Sequence, residues 1–296
     1  MTHSKKNLNK KTNWILDKFK YAENKDGDCW GHRWRGLQQL RYKQILFFLA
    51  DHIPNDRHFH VLDIGCALGD FTEKFINQYP NATVTSIDIS DKAITIASKR
   101  LPLATFKQTT LPNLSFENSE FDMIMAHSVL YYLSESDREQ VFRNINRVLK
   151  HNGIFILSNP IDNGEEYFSL NWLDQTFKTN NFQVLDQQFQ YSSLAVKFES
   201  KFLIFVNIFK KIQSNTSFSI KPTDSTLKKY IKKNLNTPFL KFIILFFGYP
   251  IYRIVRFIIS IQYIPNLLQK LSKVLNKKTT HAMFICQKKF IPLKPT

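Results

Sequence analysis

His60-Val61-Leu62-Asp63-Ile64-Gly65-Cys66-Ala67-Leu68-Gly69 decides how this chain reads. A short apolar run ends at Gly65 and gives way to a helical pattern from Asp70 to Gln78, so the glycines sit on a strand-to-helix turn. Such a turn offers backbone N–H groups at a helix N-terminus to a ligand, and small residues let that ligand come close. Ala82 to Asp88 is rich in β-branched residues and reads as the next strand, with Asp91 to Lys99 as a helix behind it. Asp88 therefore ends a strand about 20 residues past the glycines, where a carboxylate can accept hydrogen bonds from a ribose diol. Capping the following helix is the plainer role for an acid here, and Asp91 is better placed for it.

The alternation extends on both sides. Leu37 to Ile53 has apolar residues at helical spacing, and Ala104 to Lys107, Phe121 to Ala126 and Gly153 to Leu157 are short apolar runs of strand type. Ser134 to Lys150 reads as a helix stopped by His151-Asn152-Gly153. Leu170 to Lys178 adds a helix, and Phe182 to Leu185 and Ala282 to Cys286 add strands. Strands alternating with helices call for an α/β fold, a largely parallel sheet covered on both faces.

In this order the motifs resemble the class I S-adenosylmethionine-dependent methyltransferase family. Val61 to Gly69 is similar to its first motif, Ile87-Asp88-Ile89-Ser90 to its second, and Phe121-Asp122-Met123-Ile124 to its fourth strand. Phe106 to Leu111 falls where the family has an adenine-contacting Gly-Asp pair, and Leu149 to Gly153 resembles its turn into the fifth strand. The resemblance implies a Rossmann-like doubly wound sheet, mostly parallel with an antiparallel last strand, and S-adenosyl-L-methionine as cofactor. It implies cofactor contacts from Asp63, Gly65, Cys66, Ala67, Gly69, Asp88, Ile89, Thr110, Leu111 and His127. Ala67 replaces a middle glycine, Thr110 stands in place of an acid, and His127 is bulky for its position. A dinucleotide site fits less well, because the third glycine of Gly-x-Gly-x-x-Gly is missing. Trp30, Arg33, Trp34 and Arg41 precede the core where the family often places a lid over the cofactor's carboxylate end; a plain aromatic-basic surface patch is the other reading.

Methyl transfer from a sulfonium is an in-line displacement, in which the protein positions the acceptor, excludes water and, where needed, removes a proton. His127 is the candidate catalytic residue, as general base or acceptor-orienting group. A histidine packed under the cofactor is the alternative. The Asn/Asp-Pro-Pro-aromatic run of nucleic-acid amino-methylating relatives is absent: Ala126 to Tyr132 stands after strand four, and Ser158-Asn159-Pro160-Ile161 lacks the second proline. No cysteine follows strands four or five to serve a cytosine-C5 mechanism. Ser128 to Leu133 is instead similar to small-molecule enzymes, notably nodulation-type N-methyltransferases of modified oligosaccharides.

Composition separates the chain into unequal parts. The whole carries +17 with 43% hydrophobic residues, ample for a packed core. Residues 191–280 hold 14 Lys and 2 Arg against Glu199 and Asp224, a net of +14, which leaves +3 for the rest. The expected organisation is a basic tail and N-terminal lid helices over 1–57, a cofactor-binding core over 58–190, a helical basic amphipathic insertion over 191–280, and a final core strand and tail over 281–296. Three widely spaced cysteines (Cys29, Cys66, Cys286) give neither a disulfide framework nor a metal signature, so no metal is expected and a reducing cytoplasmic setting is. Met1 to Lys11 reads as a basic tail rather than a signal peptide.

Within the insertion, Val196–Ile212, Thr223–Asn234, Pro238–Ile261 and Pro265–Asn276 read as aromatic-rich, Lys-rich helices. Lys241, Arg253 and Arg256 interrupt the most apolar stretch and Pro250 is expected to break it, so no membrane-spanning helix is expected. Three acceptor readings stay open. The leading one is a lipid, lipid-linked or other amphiphilic acceptor, modified by an enzyme held peripherally on the inner face of a membrane by anionic lipid. The second is a soluble metabolite or sugar, with the insertion as lid or dimer interface. The third is RNA; long apolar aromatic runs favour a bilayer over a phosphate backbone, so nucleic acid is not the expected partner.

Overall fold

The structure is a computed structural model that describes residues 30–53, 58–162, 167–213, 224–274 and 279–289, together with Leu16, Asp28 and Gly164. The chain divides into two compact units. One holds the residues up to Arg33, Arg41–Tyr191 and those from Thr279 onward; the other holds Trp34–Leu40 and Ser192–Lys278.

Helix α1 (Gly36–Ala50) begins in the second unit and passes into the first, which continues with β1 (Phe59–Ile64), α2 (Asp70–Gln78), β2 (Ala82–Asp88), α3 (Asp91–Arg100) and β3 (Thr105–Gln108). Then come β4 (Phe121–His127), a 3-10 turn at Leu130–Tyr132, α4 (Glu135–Val148), β5 (Leu149–Pro160), α5 (Leu170–Thr179), β6 (Phe182–Ser192) and, after the second unit's helices, β7 (Thr279–Lys288). The seven strands form one sheet in the order β3-β2-β1-β4-β5-β7-β6. β1 pairs parallel with β2 and β4, β2 with β3, and β4 with β5, whereas β7 runs antiparallel to β5. The Rossmann-like sheet and its antiparallel last strand are as expected. Strand order reverses between β1 and β4, which opens a crevice at their carboxyl ends.

Both faces of the sheet are apolar, as helix-covered parallel strands require. Along β4, Ile124 and Ala126 face a core with Phe142, Phe155, Leu157 and Phe177; Met123 and Met125 face one with Tyr42, Ile45, Phe48, Phe75 and Tyr79. Three local readings change. Ser90, not Asp91, caps α3, its hydroxyl accepting from Ala93 N–H at 3.2 Å. β5 begins at Leu149, because α4 ends at Val148 and Asn152 takes φ 58° within the strand. β6 runs on through polar residues to Ser192, since its pairing with β7 supplies hydrogen bonds regardless of side-chain hydropathy.

In the second unit, α6 (Ser193–Gln213), α7 (Thr226–Leu235), α8 (Pro238–Ser260) and α9 (Tyr263–Val274) follow one another. Phe209 stacks on Tyr252 with ring centroids 4.4 Å apart, in a cluster with Val206 and Ile259. Trp34 takes the Arg256 guanidinium at 4.9 Å and the Lys210 ammonium at 5.2 Å over its ring, and Arg35 pairs with buried Glu199. Gly36 admits no side chain: a Cβ there would lie 2.7 Å from the Ile259 carbonyl oxygen. The expected break at Pro250 does not occur. Pro250 sits inside a continuous 23-residue helix that is, by length and composition, able to cross a membrane.

Candidate functional site

The turn after β1 is tied to the neighbouring strand before any ligand is considered. Gly65 and Cys66 N–H both donate to the Ile87 carbonyl, at 2.8 and 3.1 Å. Gly65, Ala67 and Gly69 all have positive φ (77°, 49° and 75°), so the turn is built from left-handed residues. Ala67 is the costly one: an L side chain in this region is disfavoured by about 1–2 kcal/mol. Its N–H is fixed by the Asp88 carboxylate, whose Oδ2 accepts it at 2.9 Å while Oδ1 accepts Ser90 N–H at 3.0 Å. Asp88 thus clamps the turn and its own strand end together while almost wholly buried. Burial pushes its carboxyl above the usual range, and the N–H donors oppose the shift.

Asp63, one turn earlier, faces inward. Its Oδ2 accepts from Thr72 Oγ1 at 2.6 Å, and that hydroxyl lies 3.4 Å from Ser86 Oγ. Burial is the main cause that raises Asp63 to about 6; Thr72 opposes the rise and Asp88 adds to it. The unfolded carboxyl titrates at about 3.9, so between these two values the folded chain binds the proton more tightly. Asp63 therefore subtracts stability as pH rises through that window. Asp63→Asn is expected to gain stability over the wild type between pH 4 and pH 6, by up to about 3 kcal/mol. Denaturant titrations at pH 4.5 and pH 7.5 check this; an equal difference at both pH values would refute it.

Beyond β4 the backbone turns at Ser128, with φ 54° and its N–H donating to the Ser158 carbonyl at 2.7 Å. Arg41 is buried and donates to Ser128 Oγ, with its guanidinium 5.6 Å from the Tyr42 ring centroid and its Nε unsatisfied. Among the described residues no carboxylate pairs with it. A guanidinium shielded from water without a counter-charge is costly, and it marks where an anion would settle. Arg33, its neighbour in the sequence reading, is instead tied to Asp70 at 2.8 Å.

His127 ends β4 with its ring edge against Phe71 (centroids 4.5 Å apart) and both ring nitrogens unbonded. Burial, then the Arg41 charge, pushes its pKa down to about 3. His281 is lowered to about 3 for the same two reasons. The Asn159 side-chain amide is also buried with no partner at either end. Thr110 is exposed and Leu111 half-buried beyond β3, where Thr109 N–H donates to the Asp88 carbonyl at 2.9 Å; Ile89 is half-buried and Cys66 a buried thiol held protonated. The structure therefore gathers Asp63, Gly65, Cys66, Ala67, Gly69, Asp88 and Ile89 around the ends of β1 and β2, with His127 at the end of β4. Asp28, His32 and Asp70 bring possible metal donors within 4.8 Å of one another, but Arg33 and Arg100 already neutralise Asp70.

Residues 61–153, about a third of the chain, match the methyltransferase domain family. A trans-aconitate 2-methyltransferase of Variovorax paradoxus is 30% identical over 118 residues, covering 40% of this chain and 44% of that protein. A malonyl-[acyl-carrier protein] O-methyltransferase of Bacillus cereus is 26% identical over 128 residues, covering 43% and 46%. The chain spans about half the length of the curated relatives it matches. Among solved structures, the [4+2]-cyclase SpnF superimposes with a TM-score of 0.54 at 15% identity, over 86% of this chain and 83% of that one. A cyclase on this fold shows that shape alone does not fix the reaction.

The core of this chain is a methyltransferase domain. Over residues 61–153 it resembles the class I, S-adenosylmethionine-dependent family, whose cofactor is S-adenosylmethionine. The residues present fit such a group: a left-handed turn after β1, a clamped carboxylate at the end of β2, and a buried guanidinium whose Nε has no partner.

Proposed function

We propose that this chain transfers a methyl group from S-adenosylmethionine to a small or amphiphilic acceptor of lipid, lipid-linked or glycan type, in the cytoplasm at the inner face of a membrane. The observation that carries the reading is the Asp88 clamp at the carboxyl end of β2, beside the turn after β1, which holds a carboxylate at the strand end a ribose diol needs. Bound there, the cofactor supplies a methyl group on a sulfonium. In this reading Asp88 holds the ribose, and Asp63, Gly65, Cys66, Ala67 and Gly69 line the amino-acid end. Ile89, Thr110 and Leu111 flank the base, and Arg41 takes the carboxylate.

His127 fits orientation better than proton removal, because a ring whose pKa is lowered to about 3 is a weak base at neutral pH. The acceptor atom then enters already deprotonated, as a carboxylate or a free amine does. The names of two relatives, which state an acid and an acyl-carrier-protein-linked acyl group, are in keeping with a carboxylate.

The test is incubation of the protein and cell extract with cofactor radiolabelled on its methyl group. Label is expected in the organic phase, released by mild alkali where a methyl ester has formed. Label confined to water-soluble metabolites or to RNA overturns the lipid reading. The pH profile of kcat/KM is expected to be the same in His127→Asn as in the wild type. A wild-type inflection between pH 6 and 7 that disappears in His127→Asn would make His127 the base.

A further inference from the structure

We infer that α7 and the outer face of α8 form one docking surface that lies in the plane of an anionic bilayer, without crossing it. The inference deepens the membrane part of the proposed function and rests on it. Helix α7 (TLKKYIKKNL) has no buried residue: Leu227 and Tyr230 are each about two-thirds exposed and Ile231 nearly half, with Lys228, Lys229 and Lys233 exposed between them. Leu227, Tyr230 and Ile231 recur at helical spacing, which gives an apolar stripe edged with ammonium groups.

A short turn at Asn236-Thr237 leads into α8, whose two sides differ. Tyr252 and Ile259 are buried, and Arg256 stacks on Trp34. The opposite side carries Phe239, Phe242, Phe246, Ile254 and Phe257, each 59–75% exposed, in a single row of large apolar side chains. Charge selects the occupant of this surface, and packing selects its geometry. First, residues 191–280 carry +14, and their two acids are already paired, Asp224 with Lys232 and Glu199 with Arg35, so nothing acidic is left to repel anionic lipid. Near such a surface each Lys or Arg contributes about 1 kcal/mol. Second, α8 is long enough to span, yet a crossing helix would have to bring its Trp34–Arg256 side and the helices packed on it into hydrocarbon. Lying flat, it inserts the phenylalanine row and lets Arg253 and the α7 lysines reach headgroups.

The test is flotation of the full chain with vesicles of phosphatidylcholine alone or mixed with phosphatidylglycerol. The wild type is expected to float with the mixed vesicles at least tenfold more than with the neutral ones. Both Phe242→Ser/Phe246→Ser and Lys228→Glu/Lys229→Glu are expected to lose most of that binding, with helical content and calorimetric binding of S-adenosylmethionine unchanged. Wild type that stays at the bottom with both vesicles, or a phenylalanine variant that floats normally, overturns the proposal, as does retention on RNA in place of vesicles. Phe246→Trp separates flat from crossing: its fluorescence is expected to be quenched by lipids brominated near the headgroup, and stronger quenching from the chain ends would overturn the flat geometry. Flotation does not read methyl transfer, so an inactive protein that floats fails the catalytic reading and leaves this one standing.

Discussion

Asp88→Ala is expected to lower affinity for S-adenosylmethionine by at least about a hundredfold, measured by isothermal titration calorimetry of the full chain. Two losses combine. The N–H groups of Ala67 and Ser90, now fixed by the two carboxylate oxygens, would be buried without partners, at about 1–3 kcal/mol each. The left-handed conformation of Ala67 would also lose the bond that holds it, so the turn relaxes away from the shape that receives the cofactor. The carboxylate's own bonds to a ribose diol disappear as well, each worth about 1.5–3 kcal/mol as a charged acceptor. Asp88→Asn, which keeps the size and one acceptor oxygen, is expected to fall between the two. An Asp88→Ala protein that binds within threefold of the wild type would remove Asp88 from the site.

The second large effect concerns Gly65. At φ 77° an alanine costs about 1–2 kcal/mol from backbone strain alone. Its Cβ would also lie 2.5 Å from Val129 Cγ2 and 2.7 Å from Val129 Cβ, so the segment after β4 must shift. Gly65→Ala is expected to lower the thermal midpoint by roughly 5–10 °C and kcat/KM by at least about a hundredfold. Adding Val129→Ala relieves the contact but not the strain, so the double variant should recover part of the loss. No recovery in a thermal melt would mean that the Val129 contact does not matter. At Gly69 the nearest atom to a new Cβ is the flexible end of Leu101, 2.9 Å away, so Gly69→Ala carries the strain with a softer clash.

The half of the candidate site on β1 and β2 is legible because its information is local. A β-strand, a glycine turn and an acid one strand later lie within 30 residues, and their spacing survives in one dimension. Other parts are not. Thr72 reads as an ordinary helix residue until α2 turns it toward Asp63. Arg41 is one of four equivalent basic and aromatic candidates in the sequence; only packing shows that Arg33 has a carboxylate and that Arg41 has none among the described residues. Asn159 carries no signal at all until burial leaves its amide unpaired. Pro250 reads as a break because the sequence shows the lost N–H; in the structure the helix runs through it, with Tyr252 and Ile259 buried beyond it.

The class of the core, the order of its strands and helices, the glycine turn after β1 and the concentration of charge in residues 191–280 are readable from the chain alone. Those follow from hydrophobic period, glycine placement and residue counts, which do not depend on where the chain goes next. The tertiary structure alone decided that His127 loses its basicity through burial and the nearby Arg41 guanidinium, that Asp88 clamps the turn, and that one side of α8 is packed while the other stands bare. Each of these depends on which distant groups exclude water from a given atom, and solvent exclusion is set by the packed chain, not by any stretch of it.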